Sequence, residues 1–183
     1  MRIIGGEYRS RIIQMPKGPD IRPTQDKVRQ AIFNILGDIS EMSVLDLFAG
    51  SGAFGMEALS RGGARAVFVE NNPKCISTIE ANLKSLAIPE DRYRIMNANA
   101  LNAFSRIGEG GARYDLVFMD PPYYKDMAKK CLISLDSCDI LSQFAFVVVE
   151  RFKSDLLDDG LKELVLYKEK RYGDTIISIF RKR

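Results

Sequence analysis

The sequence predicts a doubly wound α/β fold, in which a mainly parallel sheet is covered by helices on both faces. From Val44 onward, short apolar runs alternate with stretches of helical periodicity. Strands that are apolar throughout are typical of a sheet buried on both faces, and alternation with helices favours parallel pairing. A chain of 183 residues, 46% of them hydrophobic, is long enough for one domain with a sizeable core.

The N-terminal part of the chain is predicted to form an arm followed by a helix. Two apolar runs around Ile3 and Ile12, separated by glycines and polar residues, predict a short hairpin or extended arm. Thr24 can cap the next helix, in which apolar residues recur at i, i+3, i+4, i+7 and i+8. The predicted division is a basic arm over residues 1–23 and a main domain over residues 24–183. The apolar positions of the helix are Val28, Ala31, Ile32, Ile35 and Leu36.

The alternating region is predicted to supply the sheet and its covering helices. Between them, GEGG at residues 108–111 predicts a loop. The last stretch, LKELVLYKEKRYGDTIISIF, has two strand-like runs joined by Gly173 and Asp174, which predicts a terminal antiparallel hairpin. The alternating segments are, in order, VLDLFA, GMEALS, AVFVE, a helix with Ile76, Ile79, Leu83 and Leu86, YRIMNA, ALNAFSRI, YDLVFMD, a helix through Leu132 and Leu135, and FAFVVVE.

The composition argues against several classes of function. There is no histidine, which removes the commonest metal ligand and the usual general base of serine and cysteine hydrolases. Cys75, Cys131 and Cys138 are odd in number and none is spaced as CxxC, so we expect buried free thiols rather than disulfides or a metal site. No apolar run approaches the roughly 18 residues of a membrane span, and no secretory signal is visible, so we expect a cytoplasmic protein.

The charge is unevenly distributed along the chain. Residues 1–30 carry seven Lys and Arg against three Asp and Glu, whereas the remaining residues carry 20 against 21. A basic arm on a near-neutral domain is typical of proteins that bind phosphate backbones, although a solvated basic face gives the same pattern. The candidate phosphate contacts are Arg2, Arg9, Arg11, Lys17, Arg22 and Arg29.

The segment DLFAGSGAFGMEAL, residues 46–59, is typical of a nucleotide-binding turn between a strand and a helix. Its glycines allow a tight reversal and let a ligand approach the main chain. Glu70 ends the next strand, 20 residues after Gly50, where it can accept both hydroxyls of a ribose. Asp46 can hold the loop, touch the ligand or cap the strand. Gly50, Gly52 and Gly55 also match the fingerprint of nicotinamide-dependent dehydrogenases, an alternative that this segment alone leaves open.

The segment DPPY follows an apolar strand, at the edge of the sheet where ligands bind in this fold. The Asp120 carboxylate and the Pro121 carbonyl can accept the two N–H bonds of an exocyclic amine, and proline rigidity keeps these acceptors in place. Tyr123 offers an aromatic face for a base turned out of its stack. An ordinary turn uses the same residues, but a dehydrogenase has no use for them here. The pair of motifs therefore predicts methylation of an exocyclic base nitrogen.

Three further polar residues end predicted strands. Glu150 can support the same crevice or be a solvated carboxylate. Asn97 and Asn99 can contact a cofactor base or stabilise a turn.

These segments together resemble the RsmD-type enzymes, which methylate the N2 amine of one guanine in small-subunit (16S) ribosomal RNA. The resemblance spans nearly the whole chain. The arm and the segment after it are the most telling, since many methyltransferases share the glycine turn and DPPY. The matching segments are RIIGGEYRSR, RPTQDKVRQAIFNIL, DLFAGSGAFGMEALSRG, DPPY, the VVVE strand end and RYGDT.

The resemblance implies a Rossmann-like class I methyltransferase sheet of seven strands, one of them antiparallel, with a short N-terminal extension that helps to hold RNA. It implies S-adenosyl-L-methionine as the methyl donor and needs no metal. Methyltransferases often have an acid near the adenine where this chain has Asn99. The implied donor-binding residues are Asp46, Phe48, Gly50, Ser51, Gly52, Glu70, Asn71, Asn99 and Ala100. The implied guanine-binding residues are Asp120, Pro121, Pro122 and Tyr123, and the implied RNA contacts are Arg2, Arg9, Arg11, Arg22, Thr24 and Arg29.

Two other functions use the same residues. A DNA adenine-N6 methyltransferase has the same DPPY chemistry, and the arm alone argues against it. A catalytically silent RNA-binding assembly factor keeps the fold and the arm. For the enzyme, we expect a monomer whose partner is ribosomal RNA, within the small ribosomal subunit.

Overall fold

The computed structural model describes residues 1–16, 26–122, 126–155, 157 and 160–183. Strands and helices alternate along most of this part of the chain, as the hydrophobic pattern predicts. The helices are α1 (Asp26–Leu36), α2 (Ala53–Ser60), α3 (Pro73–Leu86), α4 (Ala100–Ile107) and α5 (Met127–Ser137). The strands are β1 (Ser43–Leu47), β2 (Arg65–Glu70), β3 (Tyr93–Asn97), β4 (Tyr114–Met119), β5 (Leu141–Phe152), β6 (Leu164–Tyr172) and β7 (Thr175–Lys182).

The seven strands form one sheet in the order β3-β2-β1-β4-β5-β7-β6. Strands β1 to β5 pair in parallel, while β7 is antiparallel to both β5 and β6. The predicted terminal hairpin is confirmed: β6 and β7 are joined at Gly173, whose φ of +62° is the left-handed conformation that glycine adopts without strain. The predicted sheet, with seven strands and one antiparallel strand, is also confirmed.

Apolar side chains fill both faces of the sheet, because the parallel strands alternate their buried residues between the two. One face packs against α1, α2 and α3. The opposite face packs against α4 and α5. Successive residues of β1 show the division, since Val44 belongs to the first core and Leu45 to the second. The three-layer arrangement leaves the ends of the parallel strands as the places where polar groups collect.

The N-terminal residues form the predicted hairpin, and this hairpin is part of the first core. Arg2 pairs with Ile12 in an antiparallel bridge, and the N–H of Ile3 donates to the carbonyl of Arg11 at 2.9 Å. Ile3, Tyr8 and Ile13 are buried against α1, α2 and α3. The arm is therefore held by hydrophobic burial as well as by its own hydrogen bonds.

Several details differ from, or add to, the sequence-based predictions. The predicted loop GEGG contains a short 3₁₀ turn, Glu109–Gly111. Strand β5 begins at Leu141, three residues before FAFVVVE. Cys75 and Cys131 are buried as predicted, whereas Cys138 is partly exposed. Over the described ranges, no helix combines the length and the hydropathy that a membrane crossing requires.

Candidate functional site

The predicted site residues collect where the parallel strands end. Leu47, the last residue of β1, pairs with Val69 on one side and with Met119 on the other. Glu70 at the end of β2 pairs with Asn97 at the end of β3. The loops that follow β1, β2 and β4 therefore start side by side at one edge, the ligand-binding edge of open α/β sheets.

The glycine turn between β1 and α2 reverses the chain through three residues of positive φ. Phe48 has a φ of +61°, Gly50 of +57° and Gly52 of +77°. The N–H of Gly52 donates to the carbonyl of Ala49 at 2.7 Å, which closes the turn, and α2 begins at the next residue. A left-handed phenylalanine is an uncommon conformation that is concentrated at functional sites.

The three glycines of this turn have different surroundings. A Cβ on Gly55 would lie 2.3 Å from the ring of Phe68, and one on Gly52 would lie 2.8 Å from the methyl of Met56. Gly55 must be glycine for α2 to pack closely on β2, whereas at Gly52 the Met56 methyl can move and the positive φ of +77° is what favours glycine. A Cβ on Gly50 would meet only the carbonyl oxygen of Phe48, at 3.9 Å. Gly50 therefore borders open space, where a ligand can approach the main chain.

Glu70 is held beside Gly50 by three backbone N–H groups. Oε2 accepts from Gly50 at 2.9 Å, and Oε1 accepts from Asn71 and Asn72, each at 2.8 Å. A carboxylate offers about four acceptor positions, so one remains for a ligand hydroxyl. The side chain is only partly buried. Its position fits a contact with one ribose hydroxyl rather than the predicted contact with both, and the carboxylate is oriented before a ligand arrives.

Asp46 lies behind the glycine turn. It is 3% exposed, and its Oδ2 accepts from the N–H of Gly55 at 3.0 Å. Burial, opposed by the Gly55 hydrogen bond and reinforced by the Glu70 carboxylate, raises the pKa of Asp46 to about 8. Of the roles that the sequence leaves open, the contact with Gly55 supports the one in which Asp46 holds the loop.

The remaining predicted donor-binding residues surround the same edge. The side chain of Asn99 caps α4 by accepting from the N–H of Leu101 at 3.0 Å, so its amide oxygen already has a partner. Asn71 and Asn97 are exposed. Ala100 and Ser51 are buried, at 3% and 6% exposure.

The DPPY segment leaves the sheet between the ends of β1 and β5. Asp120 follows Met119 directly and is partly buried, Pro121 is buried and Pro122 is exposed. Tyr123 lies outside the described residues. Glu150 is buried, at 8% exposure, and continues the pairing of Met119 with Val149, so it lies next to Asp120 in register.

The predicted RNA contacts other than Arg29 divide into two groups. Arg2, Arg9 and Arg11 are exposed on the hairpin, and Arg11 also donates to the carbonyl of Ser85 at 2.5 Å. Lys17, Arg22 and Thr24 lie outside the described residues.

The prediction for Arg29 is wrong. Its side chain is completely buried, and it contacts Asp26 at 3.2 Å, Glu57 at 3.5 Å and the carbonyl of Arg2. Burial lowers the pKa of Arg29, and the two carboxylates oppose that shift. A guanidinium enclosed in this way cannot reach a phosphate; instead, Arg29 fastens α1 to the arm.

Two buried polar residues that hold the arm to the helices α2 and α3 were missed. Glu57 of α2 accepts the N–H groups of Ile4 and Gly5, each at 2.8 Å, and pairs with Arg61 at 2.7 Å. Asn82 of α3 accepts from the N–H of Gln14 at 2.7 Å and donates to the carbonyl of Gln14 at 3.0 Å. It also donates to the carbonyl of Ser51, inside the glycine turn, at 3.1 Å. The available signal was a polar residue on the apolar face of each helix.

The chain is similar over its full length to proteins of one family. The family described as conserved hypothetical protein 95 matches residues 1–181. YlbH of Bacillus subtilis is 36% identical over 186 residues, which cover all of both chains. Ribosomal RNA small subunit methyltransferase D of Escherichia coli strain K12 is 33% identical over 183 residues, which cover all of this chain and 90% of the relative.

A solved structure, that of yhhF from Escherichia coli, has the same fold. Its TM-score is 0.87 at 33% identity, over 100% of this chain and 98% of that chain. Sequence and fold therefore agree over the arm, the sheet and the terminal hairpin. The chain belongs to the RsmD family, described as conserved hypothetical protein 95.

Proposed function

We propose that this chain transfers a methyl group from S-adenosyl-L-methionine to the exocyclic N2 amine of a guanine in small-subunit ribosomal RNA. The observation that carries the proposal is the placement of Asp120 and the two prolines directly after β4, beside the glycine turn that follows β1. A methyl donor held by the turn and an amine held by Asp120 would meet at one edge of the sheet. The name of the Escherichia coli relative supports ribosomal RNA as the substrate.

The residues around the glycine turn fit the donor. Open space at Gly50 lets a nucleoside lie against the main chain, and the oriented Glu70 carboxylate has acceptor capacity for a ribose hydroxyl. Asn97 and Asn99 lie at the neighbouring strand end, where they can border the adenine. When bound, S-adenosylmethionine supplies an electrophilic methyl group on a sulfonium sulfur.

The residues after β4 fit the acceptor. An exocyclic amine is a poor nucleophile, because its lone pair is delocalised into the base. Acceptance of its N–H bonds by the Asp120 carboxylate and the Pro121 carbonyl favours tetrahedral nitrogen and directs the lone pair outward. The nitrogen becomes acidic only after it bears the methyl group, so its proton can leave to the carboxylate or to water. We propose that Tyr123, next in the sequence, stacks on the guanine.

RNA is proposed to reach this edge from the side of the arm. Arg2, Arg9 and Arg11 are exposed on a hairpin that is fixed to α2 and α3. Phosphate contacts from a fixed element set the register of a nucleic acid without reading its sequence. We propose that the enzyme acts in the cytoplasm as a monomer, with the small ribosomal subunit as its partner.

The test is methyl transfer from labelled S-adenosylmethionine to small ribosomal subunits that lack the modification, with free ribosomal RNA and duplex DNA in parallel. Nucleoside analysis identifies the product. N2-methylguanosine in RNA is the expected result. N6-methyladenine in DNA would replace the proposal with a DNA methyltransferase, and RNA binding without any transfer would indicate an assembly factor.

A further inference from the structure

One group of exposed or partly buried aromatic and basic side chains lies far from the candidate active site. It is formed by Phe144 and Phe146 of β5, Tyr167 of β6 and Arg181 of β7, and is called the β5–β7 patch below. It lies at the amino-terminal ends of β5 and β6, opposite the edge that carries Asp120. Phe144 lies five positions before Val149, the partner of Met119, and five steps of extended strand span about 17 Å.

Irregularities in the two strands present the aromatic rings to solvent. Between the pairs Tyr114–Leu141 and Leu116–Phe146, β5 contains extra residues that have no partner on β4. Phe144, inside this bulge, has a φ of +65° and is 52% exposed. Strand β6 has one extra residue between Leu166 and Lys168, where Tyr167 is 53% exposed. Bulges that redirect side chains are features of functional surfaces.

The rings and the guanidinium of the patch contact one another. The guanidinium carbon of Arg181 lies 5.1 Å from the ring centroid of Phe144 and 5.7 Å from that of Phe146. The rings of Phe146 and Tyr167 meet edge to face, with centroids 5.6 Å apart. These contacts restrict the side chains before any partner binds.

The β6–β7 hairpin, which carries Tyr167 and Arg181, is basic over its whole length. Residues 162–183 carry seven Lys and Arg against three Asp and Glu, the same ratio as residues 1–30. Lysines on an exposed edge strand such as β6 also prevent pairing with other sheets. That role does not account for Tyr167, because an exposed aromatic ring on an edge strand favours association, nor for Phe144, which lies on the interior strand β5.

We propose that the β5–β7 patch is a second RNA-contacting surface, which stacks an unpaired base and binds the adjacent backbone. Arginine planes and aromatic rings are the groups on which unstacked RNA bases lie, and neighbouring basic residues neutralise phosphates. A groove of about 430 Å³ borders Phe144, Phe146 and Arg181. Its other wall carries Glu41 and Asp115, which repel phosphates, so the backbone lies on the Arg181 side. This inference rests on the proposed function and extends it to RNA away from the target guanine.

The test compares wild-type protein with the double variant Phe144→Ala/Tyr167→Ala and with Arg181→Ala. Arg94→Ala, an exposed arginine on the opposite edge strand β3, is the matched control. Dissociation constants are measured for small ribosomal subunits and for protein-free small-subunit ribosomal RNA at several salt concentrations. Methyl transfer at saturating substrate and the affinity for S-adenosylmethionine are measured on the same proteins.

We expect the double variant to weaken binding to both RNA forms by about 5- to 100-fold, with little change in the salt dependence. Arg181→Ala should also weaken binding and reduce the slope of log K against log salt by about one. Transfer at saturation and donor affinity should be unchanged. Unchanged RNA affinity in both variants overturns the inference, as does a loss confined to assembled subunits, which would indicate a protein partner. If wild-type protein methylates no RNA, the proposed function fails, and the RNA affinities of the variants still decide whether the patch contacts RNA.

Discussion

Asp120 is the residue whose substitution tests the proposed chemistry most directly. We expect Asp120→Ala to lower the rate of transfer at saturation by about 100- to 1,000-fold, the usual effect of removing one positioned polar group from an active site. Donor affinity should stay within about threefold of wild type, because the proposed donor contacts lie at the ends of β1, β2 and β3 rather than after β4. Single-turnover transfer and calorimetric titration measure the two quantities.

Asp91→Ala is a suitable control for this experiment, since it removes an exposed aspartate that precedes β3. Loss of donor binding in Asp120→Ala would show that Asp120 belongs to the donor site rather than to the guanine site.

Asp46 gives a prediction about pH. Its pKa is about 8 in the folded protein, against 3.8 for an ordinary aspartate, so between roughly pH 4 and 8 the unfolded chain has lost a proton that the folded chain keeps. The unfolding free energy of wild type should therefore fall relative to that of Asp46→Asn as the pH rises through this window. The difference changes by at most about 1.4 kcal/mol for each pH unit.

Denaturant unfolding of both proteins at pH 5, 6, 7 and 8 measures this difference. Asp91→Asn, in an exposed position, corrects for the loss of one negative charge. A difference between wild type and Asp46→Asn that is constant over the four pH values would contradict a buried, protonated Asp46.

The sequence predicted the positions of single residues best where a motif ties them to a strand end. Glu70, Asp120 and the glycines follow strands, so a correct reading of the strands placed them all at one edge. The burial of Arg29 could not be predicted in this way. A charged residue in an amphipathic helix reads as solvated, and its burial depends on Glu57, which is 28 residues away in the chain.

At the scale of elements, Asn82 connects the arm, α3 and the glycine turn. Substitution by alanine would leave the N–H and carbonyl of Gln14 and the carbonyl of Ser51 without this partner. We expect Asn82→Ala to lower the unfolding free energy by about 2–4 kcal/mol, because buried polar groups without partners are costly. It should also weaken donor binding, since the carbonyl of Ser51 lies within the glycine turn.

Thermal and denaturant unfolding and donor titration check both effects. Asn34→Ala is the matched control, because Asn34 is an exposed helical asparagine that is hydrogen-bonded only to Gln30 in the described contacts. Similar losses of stability in the two variants would show that the Asn82 hydrogen bonds stabilise the fold no more than those of an exposed asparagine.

Most elements could be predicted from hydrophobic periodicity, but their irregularities could not. The bulge of β5 moves Phe144 outward, and the extra residue of β6 exposes Tyr167. Neither follows from a period of two, since a bulge is set by pairing with another strand. The basic character of the β6–β7 hairpin was also missed, because acidic residues elsewhere after residue 30 cancel its excess of Lys and Arg in the total charge.

At the scale of the whole molecule, the arm is not a detachable extension. Deletion of residues 1–16 would remove Ile3, Tyr8 and Ile13 from the core and would leave Glu57 without two of its donors. Burial of three such side chains contributes about 5–9 kcal/mol, comparable with the about 5–15 kcal/mol that stabilises an ordinary domain. We therefore expect the truncated protein to be unfolded.

Circular dichroism and thermal unfolding of the truncated protein test this expectation. The double variant Arg2→Ala/Arg9→Ala changes only exposed side chains of the same arm and should unfold like wild type. A truncated protein that is cooperatively folded would show that the arm adds RNA contacts to an independent domain.

The contacts of the arm also determine when it can dock during synthesis of the chain. The first 16 residues leave the ribosome before the rest, yet Gln14 must wait for Asn82, 68 residues later in the chain. At about 5–20 residues per second, this interval lasts roughly 3–14 s. Throughout it, the apolar side chains of the nascent hairpin lack α3, one of the three helices that enclose them. This early-made segment thus docks only after nearly half of the 183 residues have been made.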